Sequence, residues 1–183
     1  MRKRRLFGVL IFAIPALLAI ATVAVAGDSG TRNFRAGLIG YQEVPAISTL
    51  ATGRFQAELV NDNTLEYQLT FSASELGTVT QSHIHFGQRS VNGGIVVFLC
   101  SNLGNGPAGT QACPASGTIS GTITSANVLP QQGIAAGEFN ELVRALRAGV
   151  AYANVHSTTF AGGEFRGQIN DRRGDNDDDE DDD

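Results

Sequence analysis

Apolar and polar residues alternate with a period of two along much of the chain between residues 27 and 170. Because side chains two positions apart point to the same face of a β-strand, this alternation predicts strands with one buried face. About eight such segments can be recognised, at residues 34–38, 51–60, 65–71, 79–86, 95–100, 117–123, 151–156 and 164–169. Short strands joined by glycine- and asparagine-rich connections indicate an all-β domain.

Two of the connections carry turn signals. An Asn-Asp-Asn sequence at 61–63 separates two alternating segments, so residues 51–71 are predicted to form a hairpin. An Asn-Gly-Gly sequence at 92–94 precedes residues 95–100, which are apolar throughout. An uninterrupted apolar run next to a turn predicts a central strand that is buried on both faces.

Residues 138–148 follow a different pattern, because their apolar side chains recur at spacings of three and four. That spacing places them on one face of an α-helix. Glutamates stand early in the segment and arginines late, which suits the helix dipole, and Gly149 is a natural stop. About eight short strands with one short crossover helix predict a Greek-key β-sandwich or barrel.

The first 26 residues have the plan of a secretory signal peptide. Basic residues at 2–5 precede an apolar run at 6–21, and small residues at Ala24 and Ala26 form a cleavage site. We therefore predict cleavage after Ala26 and a secreted or periplasmic protein with no membrane association. The alternative is an uncleaved anchor, since residues 6–26 are about long enough to span a bilayer.

The chain ends in an acidic run. Nine of the 18 acidic residues lie at positions 171–183, and this segment is predicted to be a disordered tail that follows a β domain at 27–170. One interpretation is a solvated tail that only aids solubility. The other is a tail that binds calcium weakly through many carboxylates, or attaches to a basic or mineral surface.

Charge and composition exclude several classes of function. The formal net charge is −5 and most of the acidic excess lies in the tail, so the domain lacks the basic balance that nucleic-acid binding needs. Lys3 is the only lysine, which excludes Schiff-base chemistry and a Walker phosphate loop from the cleaved chain. No Gly-x-Ser-x-Gly motif of a serine hydrolase occurs.

Cys100 and Cys113 are the only cysteines. In an exported protein an isolated pair usually forms a disulfide, which here would staple a loop rich in glycine, proline, asparagine and serine. The alternative is a thiolate metal site, but the pair lacks the CxxC spacing of common zinc motifs. The residues therefore favour the disulfide.

All three histidines lie in two of the predicted strands. His83 and His85 are two positions apart and share a face, and His156 shares a face with Asn154. Two such imidazoles can chelate one cation, and a third from another strand would complete a three-nitrogen site for copper or zinc.

Polar residues near these histidines suggest supporting roles. Glu164 and Arg166 share a face of the last predicted strand. Asn154 or Glu164 would orient an imidazole by a hydrogen bond behind the metal, and Arg166 would hold Glu164 or a bound anion.

Three interpretations of this polar set remain open. It could be a structural network of hydrogen bonds on a half-exposed sheet face, without a metal. It could instead be a copper or zinc site in a binding module, or the centre of a metal-dependent redox or hydrolytic enzyme that uses the same histidines. Geometry discriminates, because chelation requires the three imidazoles to converge.

Several motifs occur in the order of a known family. They are Phe-Arg-Ala-Gly-Leu at 34–38, Glu-Val-Pro at 43–45, Ser-His-Ile-His-Phe-Gly at 82–87, Asn-Gly-Gly-Ile-Val-Val at 92–97, Ala-Tyr-Ala-Asn-Val-His-Ser at 151–157 and Gly-Gly-Glu-Phe-Arg-Gly-Gln at 162–168. This pattern resembles the CHRD (chordin-type) domain over about residues 33–170. Small departures at Ala46, Ser157, Ala161 and Phe165 conserve size or role.

The resemblance implies an extracytoplasmic β-rich domain. We interpret it as a binding or structural module, for which an extracellular protein or surface is the candidate partner. It brings no established enzymatic activity. The paired histidines also look loosely like those of Cu/Zn superoxide dismutase. The chain lacks that family's further ligand histidines and its ligand aspartate segment, so a dismutase of that type is not expected.

Overall fold

The computed structural model of the chain describes residues 32–72 and 77–171. Within these residues there are nine strands and one α-helix, α1 (Phe139–Arg147). The strands are β1 (Asn33–Ile39), β2 (Thr52–Asn61), β3 (Thr64–Phe71), β4 (Val79–Phe86), β5 (Gly94–Ser101), β6 (Gly117–Ile123), β7 (Ala151–Ser157), β8 (Phe165–Gln168) and β9 (Asn170–Asp171). Short 3-10 turns occupy Gly40–Gln42 and Ser125–Asn127.

All named strand pairs are antiparallel, and their order is β5-β4-β7-β8-β1-β2-β3-β6, with β9 beside β1. The two end strands approach each other. The Tyr67 hydroxyl donates to the Leu99 carbonyl of β5 at 3.0 Å, and the Gln111 amide donates to the carbonyls of Leu99 and Ser120, each at 3.2 Å. Since Ser120 belongs to β6, these bonds join the two ends. The prediction of an all-β fold is confirmed, as a nearly closed barrel.

The core fills the inside of this barrel with the alternating apolar side chains. Leu38, Phe55, Leu69 and Ile84 have no exposed surface, as expected for positions that alternate with polar residues. The predicted amphipathic helix is present as α1, and its apolar stripe, including Leu142, is buried in the same cluster. Burial of each large apolar side chain stabilises the fold by about 1.5–3 kcal/mol.

The prediction of a central strand at 95–100 is wrong about its position. β5 stands at one end of the sheet and pairs only with β4 among the described strands. Its free side is covered instead by the loop that the Cys100–Cys113 disulfide ties back, which carries Gln111. Because the loop shields the edge, an apolar strand is tolerated there.

The two ends of the sequence lie largely outside the residues that the structure describes. The predicted signal peptide at 1–26 is outside the described residues, and so is the acidic tail beyond Asp171. Asp171 itself pairs with Phe34 of β1. In the described part of the chain, no helix has both the length and the apolar character that a membrane span requires.

The outer face of β4, β7 and β8 is covered by three loops, at residues 40–50, 87–93 and 158–163. The loops are tied to the strands and to one another. The Arg166 side chain donates to the Gln42 carbonyl at 2.6 Å, and the Asn92 amide donates to the Val44 carbonyl at 3.0 Å. The polar face expected to be half exposed is therefore buried.

Candidate metal centre

The structure brings the three histidines together beneath these loops. His83 and His85 lie on β4 and His156 on the neighbouring strand β7. One nitrogen of each imidazole lies within 4.8 Å of the others. The three side chains are only 0 %, 7 % and 5 % exposed, in that order. The sequence placed them on matching strand faces, and the antiparallel pairing of β4 with β7 makes them converge.

Backbone carbonyls fix two of the three imidazoles. Nδ1 of His85 lies 3.0 Å from the Gly93 carbonyl oxygen, and Nδ1 of His156 lies 3.0 Å from that of Ala161. A carbonyl oxygen only accepts, so both rings carry their proton on Nδ1 and hold a lone pair on Nε2. This is the tautomer that presents Nε2 to a metal ion.

The third imidazole faces one of these lone pairs. Nδ1 of His83 lies 3.1 Å from Nε2 of His156. In the metal-free protein this contact is a hydrogen bond that Nδ1 of His83 donates. Two nitrogen ligands of a tetrahedral zinc ion, at about 2.0–2.1 Å from the metal, would stand at a closely similar separation. The widest separation in the cluster, up to 4.8 Å, would have to shorten by roughly 1.4 Å for all three nitrogens to bind one ion.

Polar atoms without partners are concentrated around this cluster. Among the described residues, five buried side-chain atoms have no hydrogen-bond partner: Nε2 of His83, Nε2 of His85, Oε1 of Glu43, Oδ1 of Asn154 and Oε2 of Glu164. Each such atom costs about 1–3 kcal/mol unless a ligand or water satisfies it. Their concentration in one region fits a site that takes up a polar guest.

Aromatic rings pack the imidazoles into fixed orientations. Tyr152 stacks on His85 with ring centroids 4.8 Å apart and planes inclined by 4°. Phe98 meets His83 edge to face at 4.4 Å. The guanidinium carbon of Arg166 lies 4.4 Å from the centre of the Tyr152 ring. Rigid packing of this kind limits the reorganisation that ligand binding would need.

Burial keeps the imidazoles neutral. Burial, with smaller contributions from the neighbouring His156 and His85, lowers the pKa of His83 to about 2. It also lowers the pKa of His85 to about 4, against the hydrogen bond to the Gly93 carbonyl, and lowers the pKa of His156. Neutral imidazole is the form that binds metals.

The residues expected to orient the imidazoles from behind the metal do not do so. The carbonyls of Gly93 and Ala161 hold the imidazoles, and Asn154 and Glu164 do not. Glu164 accepts a hydrogen bond from the Thr49 hydroxyl at 2.9 Å. Sequence patterns could not show this, because irregular loops supply the carbonyls.

Arg166 is likewise held by the covering loops. Besides Gln42, it donates to the Val91 carbonyl and to Oδ1 of Asn92, each at 3.2 Å. No bond to Glu164 is among its contacts in the described residues. Arg166 thus fastens the loops over the cluster.

Glu43 is a buried acid whose role the sequence did not reveal. It is 6 % exposed, and burial raises the pKa of its carboxyl to about 7, against the opposing effect of Arg166. A Cβ on Gly163 would come within 2.7 Å of both Oε1 of Glu43 and Nδ2 of Asn154. The Glu-Val-Pro motif was the sequence signal that could have indicated this burial, because a loop that contains a proline can fold over the acid that precedes it.

A surface depression of about 320 Å³ lies over this region and is lined by Glu43, Asn92 and residues 159–163, among others. None of the three imidazoles lines it. The cluster is therefore closed off from the depression by the loops.

These features define an all-β domain with a buried three-histidine cluster beneath covering loops. The model of the CHRD domain family matches residues 34–169, so the chain belongs to the CHRD domain family, as its motifs predicted. This membership supports a binding or structural module. Searches of curated proteins and of solved structures found no match to the chain.

Proposed function

We propose that the domain binds one zinc or copper ion through His83, His85 and His156. The observation that carries this proposal is the convergence of three buried neutral imidazoles, two of them with Nε2 lone pairs fixed by carbonyl hydrogen bonds. The residues fit such an ion, because three imidazoles suit zinc and copper better than the harder cations.

The proposal favours a metal site over a purely structural network as the interpretation of the polar face. A purely structural network would be expected to satisfy its own atoms, whereas Nε2 of His85, which the ion would bind, has no described partner. Binding would require His83 to release the hydrogen bond from Nδ1 to His156, with the proton held on Nε2 instead. The ion would replace that hydrogen bond as the link between the two rings.

The geometry favours an ion that stays bound in a structural role over an ion that catalyses a reaction. The imidazoles do not line the depression above them, and Arg166 and Asn92 fasten the loops that separate the two. Catalysis by metal needs a position that substrate can reach. We therefore assign the ion a structural or ligand-organising role in a module that meets its partner elsewhere on the surface.

The proposed location is outside the cytoplasm. The disulfide between Cys100 and Cys113 supports it, because such bonds persist in oxidising compartments. The leader at 1–26 points the same way from the sequence.

Metal analysis of untagged protein tests the proposal. The full chain is titrated with zinc sulfate, and separately with copper(II) chloride, in excess calcium, which occupies weak carboxylate sites on the tail. Wild type should bind one ion per chain. His83→Ala and His156→Ala should each weaken binding by at least tenfold, since each removes a ligand.

The matched control is Tyr67→Phe, which removes a buried hydrogen bond to the Leu99 carbonyl but no imidazole nitrogen, and which should bind as wild type does. Equal affinity in wild type and both histidine variants would refute the proposal. Substoichiometric metal in wild type would refute it as well.

A further inference from the structure

A second site stands on the outer face of β1 and β2. A groove of about 310 Å³ opens there, and three arginines line it: Arg35, Arg54 and Arg89. Four amide side chains complete the polar lining, and among the residues that the structure describes no acidic side chain contributes to it. The domain has few basic residues, so this gathering is specific to the groove.

Strand pairing produces the arrangement. Arg35 lies opposite Gln56, and Gly37 lies opposite Arg54, in the antiparallel pair of β1 and β2. Their neighbours in sequence, such as Ala36 and Phe55, point into the core, so these residues point outward. Arg89 comes from the loop between β4 and β5 and also lines the groove.

Two of the guanidinium groups are available to a ligand. Across the described ranges, neither Arg54 nor Arg89 forms an ion pair, and both are exposed. A guanidinium presents parallel donors that match a carboxylate, and amide side chains both donate to and accept from hydroxyls. The lining therefore complements an anion that is surrounded by hydroxyl groups.

Gly37 forms part of the floor. A Cβ at this position would meet nothing within 4 Å, so the missing side chain leaves open space between the arginines. The volume lies at the lower end of the range of small-molecule sites. One or two sugar rings are of a suitable size.

We propose that this groove binds a sugar acid, such as a uronic acid unit of an acidic polysaccharide. The carboxylate would pair with Arg54 and Arg89, and the ring hydroxyls would bond to amides such as Gln56. The proposal does not depend on the metal site, because no histidine lines the groove.

The test uses galacturonate, polygalacturonate and, as a ligand without the carboxylate, galactose. Binding to the ¹⁵N-labelled full chain is followed through the backbone amide signals of Gly37 and Gln56. Galacturonate should bind with a dissociation constant of about 1 mM, a value typical of the modest binding energy per atom of small polar ligands. Polygalacturonate should bind more tightly, and galactose should not bind.

Two kinds of variant test whether galacturonate binds in the groove. Arg54→Ala and Arg89→Ala should each weaken galacturonate binding by about tenfold or more, because each removes a charged hydrogen-bond donor. Gly37→Leu should abolish binding by filling the floor while leaving the fold intact. The matched control is Arg144→Ala on α1, which removes the same charge elsewhere and should bind as wild type does.

The acidic tail is a second source of carboxylate, because residues 172–183 follow β9, and Asn170 of β9 lines the groove. A variant with the eight acids of 175–183 replaced by asparagine and glutamine separates the two sources. Tighter galacturonate binding by this variant, still lost on Arg54→Ala, would support the site and identify the tail as a competitor.

Absence of galacturonate binding from both wild type and the tail variant would overturn the proposal. So would binding that Arg54→Ala, Arg89→Ala and Gly37→Leu all leave unchanged. Equal binding of galactose and galacturonate would overturn the assigned chemistry, because it would show that the carboxylate contributes nothing.

Discussion

Acid should lower the free energy of unfolding of the metal-free domain, because its buried imidazoles resist protonation. The buried Glu43 should offset part of this loss of stability. The pKa of His83 falls from 6.5 to about 2 on folding, and that of His85 falls to about 4. Below pH 6.5 the unfolded chain therefore binds more protons than the folded one. Stability from these histidines is complete above pH 6.5 and is lost progressively as the pH falls toward the folded-state values.

The magnitude follows from the difference in proton binding. At pH 5, a histidine that is protonated only in the unfolded chain stabilises that chain by about 2 kcal/mol. His83 and His85 together therefore lower the free energy of unfolding by about 4 kcal/mol relative to neutral pH. The lowered pKa of His156 adds a loss of the same sign.

Glu43 acts in the opposite direction. Its pKa rises from 4.5 in the unfolded chain to about 7 in the folded one. The folded state therefore binds the extra proton between these values, and stability rises as the pH falls from 7 to 4.5. Between pH 7 and 5 this contribution is about 2 kcal/mol, roughly half of the loss from His83 and His85.

The assay is urea unfolding of EDTA-treated protein at pH 7, 6 and 5, in wild type and in Glu43→Gln. The variant keeps the shape of the side chain but cannot ionise. Its loss of stability between pH 7 and 5 should exceed that of wild type by about 2 kcal/mol. The control is Glu58→Gln, which makes the same change at an exposed position on β2 and should run parallel to wild type. Parallel curves for wild type and Glu43→Gln would refute the assignment of a proton to the buried carboxyl.

Three further outcomes are expected. Gly163→Ala should lower the melting temperature by several degrees, because Gly163 has φ +130° and an added Cβ would meet Glu43 and Asn154 at 2.7 Å. An unchanged melting temperature would contradict this close packing around Gly163. Replacing both Cys100 and Cys113 by alanine should cost about 3 kcal/mol in urea unfolding, and a loss below about 1 kcal/mol would contradict this stabilising role of the cross-link. Leu142→Ala on α1 should cost about 2–5 kcal/mol by the same assay, whereas a small loss would show that α1 contributes little to the core.

Most of the fold could be predicted because local pattern and burial agree. The strand predicted at 117–123 and that at 79–86 have the observed bounds, and the helix predicted at 138–148 is observed as Phe139–Arg147. Period-two alternation marks a strand with one face in the core, and these strands have one. The position of β5 could not be predicted, because an apolar run shows that both faces are covered and not what covers them.

The site was predictable in part for the same reason. Strand periodicity placed His83 and His85 on one face, but only the pairing of β4 with β7 brings His156 to them. The depth of burial, the carbonyl partners and the raised pKa of Glu43 all come from loops whose conformation no periodicity encodes. Sequence reasoning thus found the metal-binding residues proposed here and missed the groups that orient them.

The buried polar atoms without hydrogen-bond partners help to choose between the interpretations of the polar face on β4, β7 and β8. Natural domains leave few buried polar atoms without partners, because each costs about as much as a lost hydrogen bond. Here the five such atoms in the described residues all belong to the histidine region, while Tyr67, Ser82 and Gln168, also buried, have partners. For stability alone, the unpartnered Nε2 of His85 is a cost, although Nδ1 of the same ring donates to the Gly93 carbonyl. An ion held by the three neutral imidazoles would satisfy Nε2 of His85, which favours zinc or copper as the ligand of this face.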